Sequence, residues 1–137
     1  EAAEQSGGPA VFNARTDVYF SQTLSREEKL AETVRRANAY LEAGADSAFV
    51  IGPGVPNDIS DLVREIKGPL NIVAGFSTQN VDELAALGVK RISLGGMLSR
   101  ATLGYYRDTL QQLKQNGRLD FSDQAIPHGD LNKLFST

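Results

Sequence analysis

Four times along this chain a short apolar run passes through a turn into a segment with helical spacing, and this alternation restricts the fold more than any other feature. The first run is PAVFNARTDVYF, rich in β-forming residues. Ser25 and Glu28 then have the spacing of a capping box, and Leu30, Val34, Ala37 and Leu41 recur at helical period until Gly44. The second run covers 47–51 and is followed by the loop Gly52-Pro53-Gly54-Val55-Pro56. Asn57 or Asp58 is placed to cap a second helix, with Ile59, Leu62, Val63 and Ile66 on its buried side. Gly68 and Pro69 break that helix before the third run, 70–74. Ser77 or Thr78 is placed to cap a third helix through Val81, Leu84, Ala85 and Leu87, which Gly88 stops. The fourth run is 91–95, and a long helix over 98–113 ends at Gly117.

The turns in LEAGADSAFV and LAALGVKRISL are short, as expected where each helix feeds the next parallel strand. Strands of this kind, alternating with helices, form a parallel sheet covered by those helices. The predicted class is α/β. Four such units make half of a (β/α)8 barrel, with a small open parallel sheet as the competing architecture. Residues 1–117 are assigned to the half barrel. Residues 118–137 are a polar C-terminal tail with Phe121, Ile126, Leu131, Leu134 and Phe135 as anchors, available to a neighbouring subunit. Half a barrel leaves open edges and one raw face. Its other half, or a second copy of the chain, is therefore an expected partner. Val11, Phe49, Ile51, Ile72 and Val73 are among the side chains expected to be left uncovered.

Composition removes several function classes. The 137 residues carry a net charge of −3 with both signs interspersed, and no basic stripe suits a nucleic acid. No apolar run reaches membrane-spanning length. The absence of cysteine excludes disulfides and thiolate metal sites and fits a reducing compartment, so a cytoplasmic location is expected. The opening EAAEQSGGP reads as the last turn of a helix with a glycine stop, which implies residues upstream of Glu1.

Several segments, in order, carry a family resemblance. FNARTDVYF resembles the fifth strand of the isocitrate lyase / phosphoenolpyruvate mutase superfamily, with its Ala-Arg-Thr-Asp motif. RANAYLEAGADSAFV resembles the helix and sixth strand that follow. GPLNIVAGFSTQNVDELAALGVKRISLGGML resembles strands seven and eight, and IPHGDLNKLF resembles the tail of a shorter branch. The resemblance implies the C-terminal half of a (β/α)8 enzyme acting on a small 2-oxo acid or related carboxylate, as a lyase or mutase. It implies a Mg²⁺ ion held by acidic residues of the first four strands, which this chain lacks. No metal ligand is assigned here, and the chain alone is expected to be inactive. A non-catalytic half-barrel assembly and an anion-binding module are the alternatives.

Arg15 is the foremost candidate residue. Asn13, Arg15 and Asp17 alternate along a strand and share one face, near the end where barrel enzymes place their sites. A guanidinium there can grip a carboxylate or phosphoryl group through two bonds, and the resemblance gives Arg15 the role of substrate-anion ligand. Its bland alternative is an ion pair with Asp17, which either orients Arg15 or caps the loop. Asn13 is expected deeper and hydrogen-bonded. The resemblance also implies a carboxylate or histidine where Ile51 stands, so one polar contact is missing. With Gly52 following Ile51, and Val73, Ala74 and Gly75 ending the third run, this wall is expected to be apolar and glycine-rich. Substrate would meet backbone N–H groups at Gly52 and Gly75. The turn at 93–96, with Ser93, Gly95 and Gly96, leads into a helix and is either a phosphate-type anion site or a plain tight turn. Arg91 is expected to face inward at the bottom. His128, the one histidine, is assigned no catalytic role. Tyr105, Tyr106 and Leu110 are expected to pack.

Overall fold

The computed structural model describes residues 10–76 and 79–136. The expected helix turn over 1–9 and the expected caps Ser77 and Thr78 lie outside them. The chain divides into two compact units at Gly95/Gly96, ahead of the long helix, whereas the sequence reading drew its boundary after Gly117.

The first unit is a parallel sheet with helices between its strands. β1 (Asn13–Thr16) is followed by a 3-10 turn (Val18–Phe20) and α1 (Arg26–Glu42). β2 (Ser47–Val50) leads to α2 (Pro56–Glu65), β3 (Leu70–Val73) to α3 (Val81–Ala86), and β4 (Arg91–Ser93) closes the unit. The strands lie in the order β1-β2-β3-β4, each parallel to the next.

Local chemistry explains most helix starts. The Ser25 hydroxyl accepts from the Glu28 N–H, and the Glu28 carboxylate accepts from the Ser25 N–H at 2.8 Å. Asn80 and Glu83 form the same box on α3, in place of the cap expected earlier in the chain. On α2 neither Asn57 nor Asp58 is the cap. Pro56 occupies the first turn with its preset φ, so the helix starts sooner, with Val55 as its N-cap in place of Asn57 or Asp58.

The register divides the sheet residues between two faces. Ala14, Ala48 and Leu70 are successive neighbours, as are Thr16, Val50, Ile72 and Ile92. This face lies against Ala37 of α1, Ile59 and Leu62 of α2, and Leu84 of α3. Ile59, Leu62, Leu70 and Ile72 are fully buried, each stabilising by roughly 1.5–3 kcal/mol relative to exposure. The opposite face carries Asn13, Arg15, Ser47, Phe49, Asn71, Val73, Arg91 and Ser93. The expectation that Ile51 and Ile72 would be uncovered is corrected: both are buried, and Ile72 belongs to the helix-covered face. Phe49 and Val73 are half-buried, and Val11 is exposed.

The second unit holds α4 (Met97–Asn116), a 3-10 turn (Asp120–Gln124) and α5 (His128–Leu134). Gly117 caps α4 in the left-handed conformation at φ +68°. No residue of α4 is buried. Tyr105, Tyr106 and Leu110, expected to pack, are 52%, 61% and 45% exposed. Among the described residues, no helix is long and apolar enough to cross a membrane.

Leu62→Ala is expected to destabilise the chain by about 2–5 kcal/mol, the range for emptying a filled core position. Val81→Ala, at a position 67% exposed, should stay within about 0.5 kcal/mol of the parent. Urea unfolding of both variants checks the core assignment.

Candidate functional site

The two predicted side chains at the end of β1 are bonded to each other. Arg15 Nε donates to Asp17 Oδ1 at 2.7 Å, and its Nη2 donates to Asp17 Oδ2 at 2.9 Å. Asp17 has left the strand and opens the 3-10 turn, yet its carboxylate reaches back to the strand's last outward side chain. Both side chains are about half exposed. The hydrogen bond from Arg15, helped by its charge, holds the Asp17 carboxyl below the usual carboxylate range, and Asp17 in turn strengthens the hold of Arg15 on its proton. A guanidinium has five N–H donors. Asp17 takes two of them and leaves the others facing solvent, a clamp aimed by one anion and open to a second.

The strand residues beneath this clamp form polar pairs. The Ser47 hydroxyl donates to Asn13 Oδ1 at 2.7 Å, giving Asn13 its expected partner. Asn71 is fully buried, and its amide both donates to and accepts from the Ser93 hydroxyl, at 3.0 and 3.2 Å. Arg91 Nη1 also donates to Ser93, at 3.1 Å. By register Arg15, Phe49, Asn71 and Arg91 form one row across the four strands. At and beyond the strand ends stand Ile51, Val73, Ala74 and Gly75, and deeper in the strands this face mixes the polar pairs with the half-buried Phe49. Asn71 and Ser47 were missed because each sits in a run that reads as continuously hydrophobic. Period-two spacing from Ser93, paired with the strand register, is the signal that finds Asn71.

The loops beyond the strands bring the remaining candidates to the same end of the sheet. Gly52 follows β2 at φ +105°, and Gly75 follows β3 in the same left-handed region. Ser93 ends β4, and Gly95 and Gly96 follow it. Gly96 is the N-cap of α4, with no side-chain cap and no acid in the first turn. Arg15 and Asp17 meet directly and Ser93 meets Asn71; the glycines contribute backbone. His128 lies in the second unit, exposed, at the start of α5.

A hub of charge fixes the outer ends of these loops. Arg26 at the start of α1 bonds Asp58 of α2 at 2.6 Å and Asp61 at 3.1 Å, and Arg64 bonds Asp61 at 2.8 Å. Tyr19 is driven into the body of the unit beside this hub. Burial, then the negative charge of Asp58, raises its hydroxyl well above the usual tyrosine range. A separate groove of about 380 Å³ runs between Phe12, Ala14, Tyr40 and Ala43, at the opposite end of β1 from the clamp.

Among the described residues, no group of three or more His, Asp or Glu could hold a metal ion. The one acid on the clamp is already taken by Arg15. The donors among the described residues do not fit a Mg²⁺ site.

The parallel sheet with helices between its strands forms part of a (β/α)8 barrel. The sequence model described as phosphoenolpyruvate phosphomutase matches residues 1–114, and the chain belongs to that family, whose members are lyase/mutase-type enzymes. An uncharacterized protein of Mycobacterium tuberculosis is 37% identical over 126 residues, covering 90% of this chain and 45% of its own. The phosphoenolpyruvate phosphomutase of Streptomyces hygroscopicus is 31% identical over 130 residues, covering 91% of this chain and 40% of its own. A crystal structure from Burkholderia cenocepacia J2315, assigned as a lyase/mutase, superposes with a TM-score of 0.82 at 34% identity, over 94% of this chain and 46% of that one. The chain thus spans less than half the length of these relatives.

The clamp makes a pH-dependent prediction. The Asp17 carboxyl should titrate below the ordinary aspartate range, and Arg15→Ala should return it there. Because the folded value is the lower one, the pair's contribution is complete above the ordinary range and is lost as pH falls through the lowered value. Carboxyl chemical shifts followed through an acid titration check both statements.

Proposed function

We propose that this chain supplies the anion-binding wall of a Mg²⁺-dependent lyase or mutase acting on a small 2-oxo acid or related carboxylate, with chemistry at a C–C or P–C bond. The observation that carries the reading is the clamp between Arg15 and Asp17. Arg15 grips the carboxylate or phosphoryl group of the substrate, and Asp17 keeps the guanidinium plane aimed at it. Gly52 and Gly75 present backbone N–H groups beside that anion, and Ser93, Gly95 and Gly96 contribute the turn on the far strand. The Mg²⁺ ion is a cofactor of the whole enzyme, held by residues outside this chain, and no step here runs through it. The partner is the other barrel half or a second copy, since among the described residues both edge strands, β1 and β4, have one unpaired side. The absence of cysteine fits work in the cytoplasm.

Arg15→Ala should weaken binding of a 2-oxo acid by roughly tenfold or more, the scale of a lost charged two-bond contact, while leaving the melting temperature nearly unchanged. Titration and melting curves on one preparation decide. Unchanged affinity with a large fall in melting temperature would assign Arg15 to structure alone. With Mg²⁺ and a panel of 2-oxo acids, the 137-residue chain by itself should show no turnover. Robust turnover would remove the need for a second barrel half.

A further inference from the structure

Three loops at the strand ends interlock around two aromatic rings. Phe20 closes the 3-10 turn after β1, and its N–H donates to the Asp17 carbonyl at 3.0 Å, so ring and clamp share one turn of chain. Phe76 stands on the loop after β3. The two rings meet edge to face with centroids 5.7 Å apart, a favoured geometry for aromatic pairs. Between their loops runs the loop after β2. A Cβ at Gly52 would lie 2.9 Å from Tyr19 Cβ and 3.8 Å from the Phe20 ring, and a Cβ at Gly54 would lie 2.6 Å from the Phe76 carbonyl oxygen. The middle loop is therefore held between its neighbours, and glycine is what permits the approach.

Adjacent residues of the first loop point in opposite directions. Tyr19 packs against the hydrophobic core, while Phe20 stays 45% exposed and Phe76 47% exposed. Two large rings in edge-to-face contact and about half open to solvent, one of them on the turn that carries Asp17, form an apolar surface joined through that turn to a polar anchor. Small-molecule sites combine these two elements.

We infer that Phe20 and Phe76 form the specificity wall of the anion site and favour a carboxylate whose substituent is apolar and longer than methyl. The inference rests on the reading of Arg15 as the anion ligand and adds the character of the substrate's other end. The rings touch the substituent and leave the reacting atoms alone.

The test uses the 137-residue chain and four probes: pyruvate, 2-oxobutyrate, 2-oxohexanoate and phenylpyruvate. Two-dimensional NMR follows the ring resonances of Phe20 and Phe76 and the Nε–H of Arg15 at up to tens of millimolar acid. Along the straight-chain acids, affinity should rise by roughly fourfold per methylene buried. Phenylpyruvate should bind more tightly than pyruvate. Phe20→Ala and Phe76→Ala should flatten that rise while leaving pyruvate binding unchanged, and Phe20→Leu should restore part of it. An equal rise in parent and alanine variants, or no rise in the parent, overturns the wall. If Arg15→Ala leaves every affinity unchanged while the phenylalanine variants still flatten the rise, the wall stands and the anion reading falls. If no probe shifts any of the three signals, both fall.

Discussion

Parallel pairing in a fixed register is the constraint on which the rest of this structure depends. Side chains alternate along a strand, so one register decides the face of every residue in all four strands. Asn13 beside Ser47 and Ala48 beside Leu70 follow from it, and so does the separation of the helix-covered core from the polar face. A slip of one residue in β3 would turn Ile72 away from the helices and Asn71 into the core. The buried amide would then lose Ser93, its hydrogen-bond partner, and a buried amide without a partner is costly. The core and the polar pairs therefore enforce the same alignment independently.

The clamp inherits its geometry from that alignment. Arg15 is the last side chain of β1 on the polar face, and the chain turns immediately after Thr16. The turn carries Asp17 back over the guanidinium, sends Tyr19 into the core and leaves Phe20 outside. The charged hub of Arg26, Asp58 and Asp61 joins the starts of α1 and α2, so the loops entering both helices are held at two ends. Two half-exposed charges in water contribute little stability by themselves. What the bond between Arg15 and Asp17 supplies is orientation, because a planar guanidinium with two of its donors fixed has little freedom left.

Much of this was legible in the sequence, and what escaped did so for identifiable reasons. The box of Ser25 and Glu28 could be read because both partners lie within four residues. The stop at Gly117 could be read because one residue's backbone freedom decides it. Asn57 and Asp58 looked like caps by residue type, but Pro56 fixes the helix start, and Asp58 is used by Arg26 from thirty-two residues away. Ile72 and Val73 could not be assigned to faces from LNIV alone, since three of its four residues are apolar and show no simple alternation. The pairing of Asn71 with Ser93 spans two strands and needs the register. The Arg-Thr-Asp segment made Arg15 and Asp17 candidates, but whether they would bond to each other or stand apart depended on where β1 ended.

The same register changes what an uncovered half barrel exposes. On its open face Arg15 and Arg91 are exposed and Asn13, Phe49, Val73 and Ser93 are half-buried, while Ser47 and Asn71 are buried and already paired within the sheet. Such a face gains less from nonspecific apolar contact than a raw hydrophobic sheet would, and it discriminates by hydrogen-bond geometry. The unpaired backbone groups on the outer sides of β1 and β4 add a directional requirement, because a partner strand must arrive in register to satisfy them. The second unit differs in kind. Leu98, Leu103, Leu134 and Phe135 are each more than 60% exposed, so its surface attracts by apolar area with little geometric demand. Any complement to the chain therefore has two tasks of different character. On its open face the first unit offers two exposed guanidinium groups, Arg15 and Arg91, and the second offers exposed apolar side chains.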